Sequence, residues 1–269
     1  MTTSAAFLVL CAALSAPPEI VAHRGESADA PENTLTAFRL AWERKVPAIE
    51  LDVHLSKDGK LVVIHDKDTE RTAGGVKKVI KDCTWDELKD IDVGAWKDPK
   101  FKGEKLCLLE DALATIPEGH RCFIEVKVGA EATPALVKAV KGSGKSNKQL
   151  CVISFQADAV EASKKALPDI PAYYLASFKQ DKETKKWTPT IEEIIGTAKE
   201  IKADGVDLGY KGPVDKTLAK KVRDAGLGLF FWTVDDEPAA RKLVGLGADS
   251  ITTNKAQWLG EVLSKPAAK

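Results

Sequence analysis

The strongest constraint in the chain is a rhythm. From residue 19 onward a short apolar run, a turn and an amphipathic segment recur eight times. The runs are Ile20–His23, Ala48–Val53, Cys122–Val126, Cys151–Phe155, Ala172–Ala176, Gly205–Leu208, Leu229–Val234 and Asp249–Thr253. Helical patterns lie between them: Leu35, Ala37, Phe38, Ala41 and Trp42 recur with helical spacing, as do Leu218, Val222 and Ala225. Continuously apolar strands alternating with helices belong to a parallel sheet covered on both faces. Eight such units predict a (β/α)8 barrel of the α/β class, a fold whose usual size is about 250 residues. A doubly wound open sheet is the alternative. Its dinucleotide-binding form is disfavoured, because no Gly-x-Gly-x-x-Gly follows the first strand.

One stretch breaks the rhythm. Ser56-Lys57-Asp58-Gly59 reads as a hairpin turn, and Leu61–His65 returns antiparallel to the second strand. The chain then passes Gly74-Gly75, a short helix over Trp85–Ile91 and Asp98-Pro99, and the barrel pattern resumes with a helix from about Leu109 to Ile116. The expected organisation is one barrel domain over residues 19–264, with an insertion over about 56–106 between strand two and helix two. Standing at the C-terminal end of a strand, that insertion rises over the face where barrel active sites sit. Residues 141–148, Lys-Gly-Ser-Gly-Lys-Ser-Asn-Lys, read as a polar loop; the likeness to a phosphate loop fails because a strand follows.

Composition bounds the partners. The 40 basic residues balance the 40 acidic ones, which removes the usual electrostatic argument for nucleic acid or an anionic membrane as the main partner; none is expected. A bound anion must then be attracted by a local site. Residues 1–16 read as a secretory signal: Ala5–Leu14 is uncharged but shorter than the roughly 20 residues that span a bilayer, and Ala13-Leu14-Ser15 offers a small-x-small cleavage site. The expectation is export, periplasmic or secreted, with a cytoplasmic location if the segment is not a signal and no stable membrane insertion. Cys83, Cys107, Cys122 and Cys151 would remain, an even count that permits disulfides. Cys122 and Cys151 sit in apolar runs and read as core thiols, and no pair has zinc-finger spacing.

Polar residues gather at the C-terminal ends of the runs. The first ends His23-Arg24-Gly25-Glu26; the second carries Glu50, Asp52 and His54 on one strand face; the hairpin ends His65-Asp66; the third ends Glu125-Val126-Lys127; the seventh gives Trp232-Thr233-Val234-Asp235. In a barrel these positions converge on one mouth. Three carboxylates there repel and are costly to desolvate unless a cation neutralises them. Glu50, Asp52 and Glu125 offer hard oxygen ligands suited to one divalent cation, Ca²⁺ or Mg²⁺, whereas zinc would want nitrogen or sulfur. The competing reading pairs them with Arg24, Lys127 or Arg121. Beside a cation, Arg24 and Lys127 would face a substrate anion, which is what stabilising phosphoryl-oxygen charge requires. His23 and His65 allow one base and one acid. His54 stands outside that catalytic set, as a substrate contact or as packing beneath the insertion.

The same residues carry a family likeness. His23-Arg24-Gly25, Pro31-Glu32-Asn33-Thr34, Glu50-Leu51-Asp52, Lys57-Asp58-Gly59 and His65-Asp66 resemble the glycerophosphodiester phosphodiesterase family. So do Arg71-Thr72, Thr84-Trp85-x-Glu87-Leu88, Gly94-Ala95-Trp96, Glu125-Val126-Lys127, Ser154-Phe155 and Trp232-Thr233-Val234. The resemblance covers residues 20–260 and implies a (β/α)8 barrel with a small insertion after strand two, hydrolysing glycerophosphodiesters to glycerol 3-phosphate and an alcohol with a divalent cation. It implies Glu50, Asp52 and Glu125 as metal ligands, His23 and His65 as the acid–base pair, and Arg24 and Lys127 as phosphate contacts, with Trp232 among the substrate contacts. Glu32 and Asn33 look structural, bracing the first loop.

The chain also departs from the pattern. Cys107 stands where Pro is frequent, Ser250-Ile251-Thr252-Thr253-Asn254 replaces Gly-Ile-x-Thr-Asp, and Asp235 stands where Asn is common. Two rivals share the site: a related phospholipase acting on lysophospholipid or sphingomyelin, and a non-catalytic barrel that binds a phosphate ligand. The first would use Trp85, Trp96 and Phe101 as a membrane-facing patch, although their spacing suits a small satellite core equally well. The second is disfavoured because no member of the metal or acid–base set is missing.

Overall fold

A computed structural model of the chain describes residues 17–266; the segment read as a signal, 1–16, lies outside the described residues. Eight parallel strands form the centre: β1 (Glu19–Ala22), β2 (Ala48–Leu55), β3 (Arg121–Val126), β4 (Leu150–Ser154), β5 (Ala172–Ala176), β6 (Gly205–Gly209), β7 (Gly228–Trp232) and β8 (Ser250–Thr253). Each pairs with its neighbour, and β8 pairs back onto β1 from Glu19↔Ser250 to Ala22↔Thr253, so the sheet closes into a barrel. A helix follows every strand: α1 (Leu35–Glu43), α2 (Leu109–Ala114), α3 (Thr133–Gly142), α4 (Ala157–Ala166), α5 (Ile191–Glu200), α6 (Lys216–Asp224), α7 (Glu237–Gly245) and α8 (Ala256–Leu263). The predicted (β/α)8 barrel is the observed one.

The two-residue period of the strands separates two cores. Ile49 and Leu51 of β2, Ile124 of β3 and Phe231 of β7 point outward and pack with Phe38, Leu113 and Leu136 of the surrounding helices. Val21, Ala48, Phe123, Cys151, Tyr173 and Phe230 fill the barrel interior. Tyr173 and Phe230 stack at 4.0 Å, and a Cβ on Gly205 would stand 2.8 Å from the Phe230 ring, so only glycine leaves room for that plug. Two residues further along the same strands, the interior positions become Glu50, Glu125 and Trp232. The apolar layer is therefore a floor, and the charged residues stand on it at the C-terminal mouth.

The returning strand, Leu61–Val63, pairs antiparallel with Val53–Leu55 of β2. It takes the edge of β2 that β1 leaves after pairing with Ala48 and Ile49, while β3 occupies the other edge. The residues after it carry a core of their own, in which Val62, Ile64, Ile80, Leu88 and Val93 pack together with Trp85 against them. Trp96 and Phe101 lie outside that cluster. Trp96 is 37% exposed, donates its indole N–H to the Val93 carbonyl at 2.8 Å and lies beside the Arg71 guanidinium; Phe101 is half-buried under Lys100. The satellite core thus accounts for Trp85 alone of the three aromatics.

Two local readings need correction. Residues 141 and 142 close α3, so the polar loop ahead of β4 starts after Gly142. A short hairpin, Lys179–Gln180 with Trp187–Thr188, follows β5 where no strand was expected; apart from Trp187, which is half-buried against the core, its strand residues are polar and exposed, so no apolar alternation marks it. Cys83, Cys107, Cys122 and Cys151 are buried free thiols. No helix among the described residues is long and apolar enough to cross a membrane.

Candidate active site

The mouth is built from strand ends and the first turns after them. Asp52 and Glu125 face each other in register on β2 and β3, and Glu50 precedes Asp52 on the same side of β2. One carboxylate oxygen from each of the three lies within 4.8 Å of the others, and all three residues are buried. His23, Arg24, His65, Lys127 and Trp232 line the same pocket.

Both readings of the trio hold in part. Lys127 Nζ contacts Glu125 Oε1 at 2.6 Å and Asp52 Oδ1 at 3.2 Å, and Arg24 Nε stands 3.2 Å from Asp52 Oδ2. Arg121 does not take part; it pairs with Glu19 at 2.7 Å near the start of the strands. Two cations against three carboxylates leave Glu50 without a side-chain ion pair at hydrogen-bond distance. Its Oε2 accepts the Arg24 backbone N–H at 2.9 Å, and its buried Oε1 has no hydrogen-bond partner. Burial, followed by the charges of Asp52 and Glu125, pushes the Glu50 carboxyl well up. Burial and Asp52 also raise Glu125, against the pull of Lys127. Burial works the same way on Asp52, but Lys127 and Arg24 overcome it and hold that carboxyl low. An orphaned oxygen and carboxyls that resist ionising are what a divalent cation would relieve, and the all-oxygen donor set fits one.

The loop after β1 orients these groups. Arg24 and Asn33 both adopt left-handed backbone, at φ 56° and 58°. At Asn33 the strain is offset by a double hold on Asp52: Nδ2 donates to Asp52 Oδ2 at 2.8 Å, and Oδ1 accepts the Asp52 backbone N–H at 3.2 Å. The Pro31–Thr34 turn therefore braces a candidate metal ligand as well as its own loop. Gly25 is fixed by space, since a Cβ would stand 2.7 Å from Ala37. Glu32 receives Arg24 Nη1 at 2.8 Å and both Arg71 Nη atoms at 2.9 and 2.6 Å.

The histidines sit in different environments. His23 is the better buried; its Nδ1 lies 2.7 Å from Asn254 Oδ1 and its Nε2 4.0 Å from Glu50 Oε2. Burial, then the Arg24 charge, lowers its pKa to about 4. His65 Nδ1 lies 2.6 Å from Asp66 Oδ1, and Asp66 in turn takes Arg71 Nε at 2.6 Å. A carboxylate only accepts, so His65 Nδ1 is the donor and its Nε2 is open. His54 donates Nε2–H to the His65 carbonyl at 3.0 Å and so supports the hairpin.

On the far wall Trp232 donates its indole N–H to the Asp207 carbonyl at 3.2 Å and meets Phe155 edge-to-face at 5.4 Å. Phe155 and Asp207 line the pocket and were not anticipated as site residues. Asp207 is buried with an unpartnered Oδ1, and its one sequence signal is a charge inside the run Gly-Val-Asp-Leu.

Comparison with known proteins agrees with this arrangement. The model of the glycerophosphoryl diester phosphodiesterase family matches residues 23–257. A glycerophosphodiester phosphodiesterase of Caldanaerobacter subterraneus is 31% identical over 253 residues, 91% of this chain and 98% of its own length. One from Bacillus subtilis is 30% identical over 251 residues, 87% of this chain and 82% of that protein. The solved structure of an Oleispira antarctica phosphodiesterase in complex with the product sn-glycerol 3-phosphate superposes with a TM-score of 0.82 at 26% identity, covering 93% of this chain and 98% of that one. The chain belongs to the glycerophosphoryl diester phosphodiesterase family, a family of hydrolases.

Proposed function

We propose that the chain is a metal-dependent phosphodiesterase that hydrolyses glycerophosphodiesters to glycerol 3-phosphate and an alcohol. The observation that carries this reading is one pocket lined by two histidines, Arg24, Lys127, Glu50 and Glu125, with the fully buried Asp52 completing the carboxylate trio beneath it. The product bound to the Oleispira antarctica relative supports the identity of the product here. Glu50, Asp52 and Glu125 would hold one divalent cation, Ca²⁺ or Mg²⁺. When bound, it neutralises charge on the phosphoryl oxygens as a Lewis acid.

The side chains supply the rest. Arg24 and Lys127, both mostly buried, place fixed positive charge where the phosphoryl oxygens gain negative charge. One histidine takes the proton of the glycerol hydroxyl next to the phosphodiester as that oxygen bonds to phosphorus. The other gives its proton to the departing alcohol oxygen as the old P–O bond breaks. Water then opens the cyclic phosphate with the two histidines in exchanged roles, which restores both and leaves glycerol 3-phosphate. Trp232 and Phe155 form an apolar wall for the carbon skeleton. With residues 1–16 as an export signal, the reaction takes place outside the cytoplasm.

The test is turnover of glycerophosphocholine after exhaustive chelation, with Ca²⁺ or Mg²⁺ added back, and with lysophosphatidylcholine and sphingomyelin in parallel. Cation-dependent release of glycerol 3-phosphate and choline is expected. Full activity in excess chelator, release of phosphocholine, or turnover of the lipids alone would each overturn the proposal.

A further inference from the structure

We infer that Asn254 and Asp235 form a positioning unit that fixes the tautomer of His23, with the proton on Nδ1 and Nε2 left as the proton-accepting nitrogen. The structural part stands on hydrogen bonding alone; the catalytic consequence rests on the functional reading above.

Asp235, just beyond β7, accepts three hydrogen bonds. Its Oδ1 takes Thr253 Oγ1–H at 2.9 Å and the Asn254 backbone N–H at 2.8 Å, and its Oδ2 faces the Asn254 side chain at 2.6 Å. A carboxylate has nothing to donate, so the Asn254 atom facing it must be the NH₂ group. The amide oxygen then points the other way, 2.7 Å from His23 Nδ1, where it also accepts from Ser27 Oγ at 3.0 Å. An amide oxygen cannot donate either, so His23 Nδ1 must carry the hydrogen. The lone pair is therefore on Nε2, the nitrogen that faces the trio across 4.0 Å to Glu50.

Asparagine alone would not decide this, because its two ends are nearly the same size and either can face a ring nitrogen. Asp235 decides it. With His23 fixed as acceptor, the two histidines divide the work: His23 Nε2 takes the hydroxyl proton and His65 supplies the proton to the leaving alcohol.

Asp235→Asn tests the unit sharply. The oxygen of the introduced amide must stay on the Asn254 backbone N–H, so the introduced NH₂ faces the Asn254 side chain and forces that amide to turn over. His23 Nδ1 then meets an NH₂ group and becomes the acceptor, and the hydrogen moves to Nε2. The expected result is a fall in kcat of about 10²–10⁴-fold, the scale of losing a general base or its correct tautomer, with KM nearly unchanged. Proton–nitrogen correlation spectra of the imidazole, assigned with His23→Gln, should show the tautomer reversed without substrate present. The exchanged pair, Asp235→Asn with Asn254→Asp, rebuilds carboxylate-to-Nδ1 and amide-to-carboxylate contacts and should regain most of the lost kcat and the Nδ1–H tautomer. A folded Asp235→Asn protein with the original tautomer overturns the inference. So does an exchanged pair that is unfolded, inactive or reversed in tautomer, even if Asp235→Asn alone cannot be purified. If the parent chain turns over no glycerophosphodiester, the functional reading falls while the spectra still decide the tautomer.

Discussion

Glu50→Gln should make the cation-free protein more stable while destroying its response to metal. In the wild type the Glu50 side chain is buried with Oε1 unpartnered, and Asp52 and Glu125 stand around it. A buried polar atom without a partner costs about 1–3 kcal/mol. The glutamine oxygen can keep the bond that Glu50 Oε2 now accepts from Arg24 N–H at 2.9 Å, which turns the NH₂ group toward the two remaining carboxylates as a donor. Most of that cost is then recovered, and a carboxyl whose ionisation is opposed by burial and by Asp52 and Glu125 is replaced by a neutral amide. At about 2–4 °C per kcal/mol for a domain approaching this size, the gain in chelator is roughly 2–12 °C. Cation binding acts the other way. At a hundredfold excess over Kd it stabilises the wild type by about 2.7 kcal/mol, or roughly 5–11 °C, and the variant should lose that increment along with activity. Thermal unfolding of both proteins, in chelator and in saturating Ca²⁺ or Mg²⁺, reads all four values. A variant less stable than wild type in chelator yet still raised by the cation would refute the reasoning, because Glu50 would then be a structural partner and not a ligand.

His65→Ala should lower kcat about 10²–10⁴-fold, the usual scale of acid–base catalysis, while the cation-induced rise in Tm persists; loss of that rise would make His65 a ligand. Burial, then the Glu125 charge, holds the Asp207 carboxyl well above its usual range. A raised folded value contributes stability below the unfolded pKa that is lost as pH climbs toward the folded one. Asp207→Asn should therefore match wild type near about pH 4 and exceed it in Tm increasingly toward neutral pH; an offset that does not change with pH would count against this account. Thr34 caps α1 by accepting Ala37 N–H at 3.2 Å and holds Pro31 O at 2.7 Å, so Thr34→Ala should cost about 1–2 kcal/mol in denaturant unfolding. An unchanged midpoint would mean that the turn is held from elsewhere.

The parts legible in the sequence are those whose physics is local. Parallel strands buried on both faces show as apolar runs, so all eight barrel strands could be located and their order followed from one repeated unit. Carboxylates at the ends of such runs stand out because nothing in a core wants them, which is why Glu50, Asp52 and Glu125 could be singled out one by one. What remained hidden depends on closure and on groups far apart in the chain. The His23–Asn254 contact spans 231 residues and exists because β8 returns to pair with β1. The hold of Asn33 on Asp52 needs a left-handed turn folded back over the mouth, and an Asn in a Pro-Glu-Asn-Thr stretch looks like ordinary turn chemistry. Asp207 carried a visible signal, a charge within an apolar run, but a lone carboxylate in a strand says nothing of which pocket it enters.

The two histidines are held by devices of different strength, and the difference follows from where each lies in the fold. His23 hangs from β1 at the seam where the barrel closes, and its partner Asn254 follows β8 directly. Its position is therefore fixed by two paired barrel strands, Glu19↔Ser250 to Ala22↔Thr253. His65 stands on the inserted segment, where a chain of ion pairs runs from Asp66 through Arg71 to Glu32, then to Arg24 and Asp52. The outer links of that chain are solvent-exposed, and such pairs add little stability, about 0–1 kcal/mol each. Their effect is geometric instead. One arginine, Arg71, sets the carboxylate that orients His65 and also the carboxylate that orients Arg24, so those two side chains are aligned to each other across the mouth. Salt weakens the exposed links while leaving the buried seam untouched. In this architecture the barrel holds His23 beside the carboxylate trio, and the insertion brings His65 to the same mouth through a network that can give way.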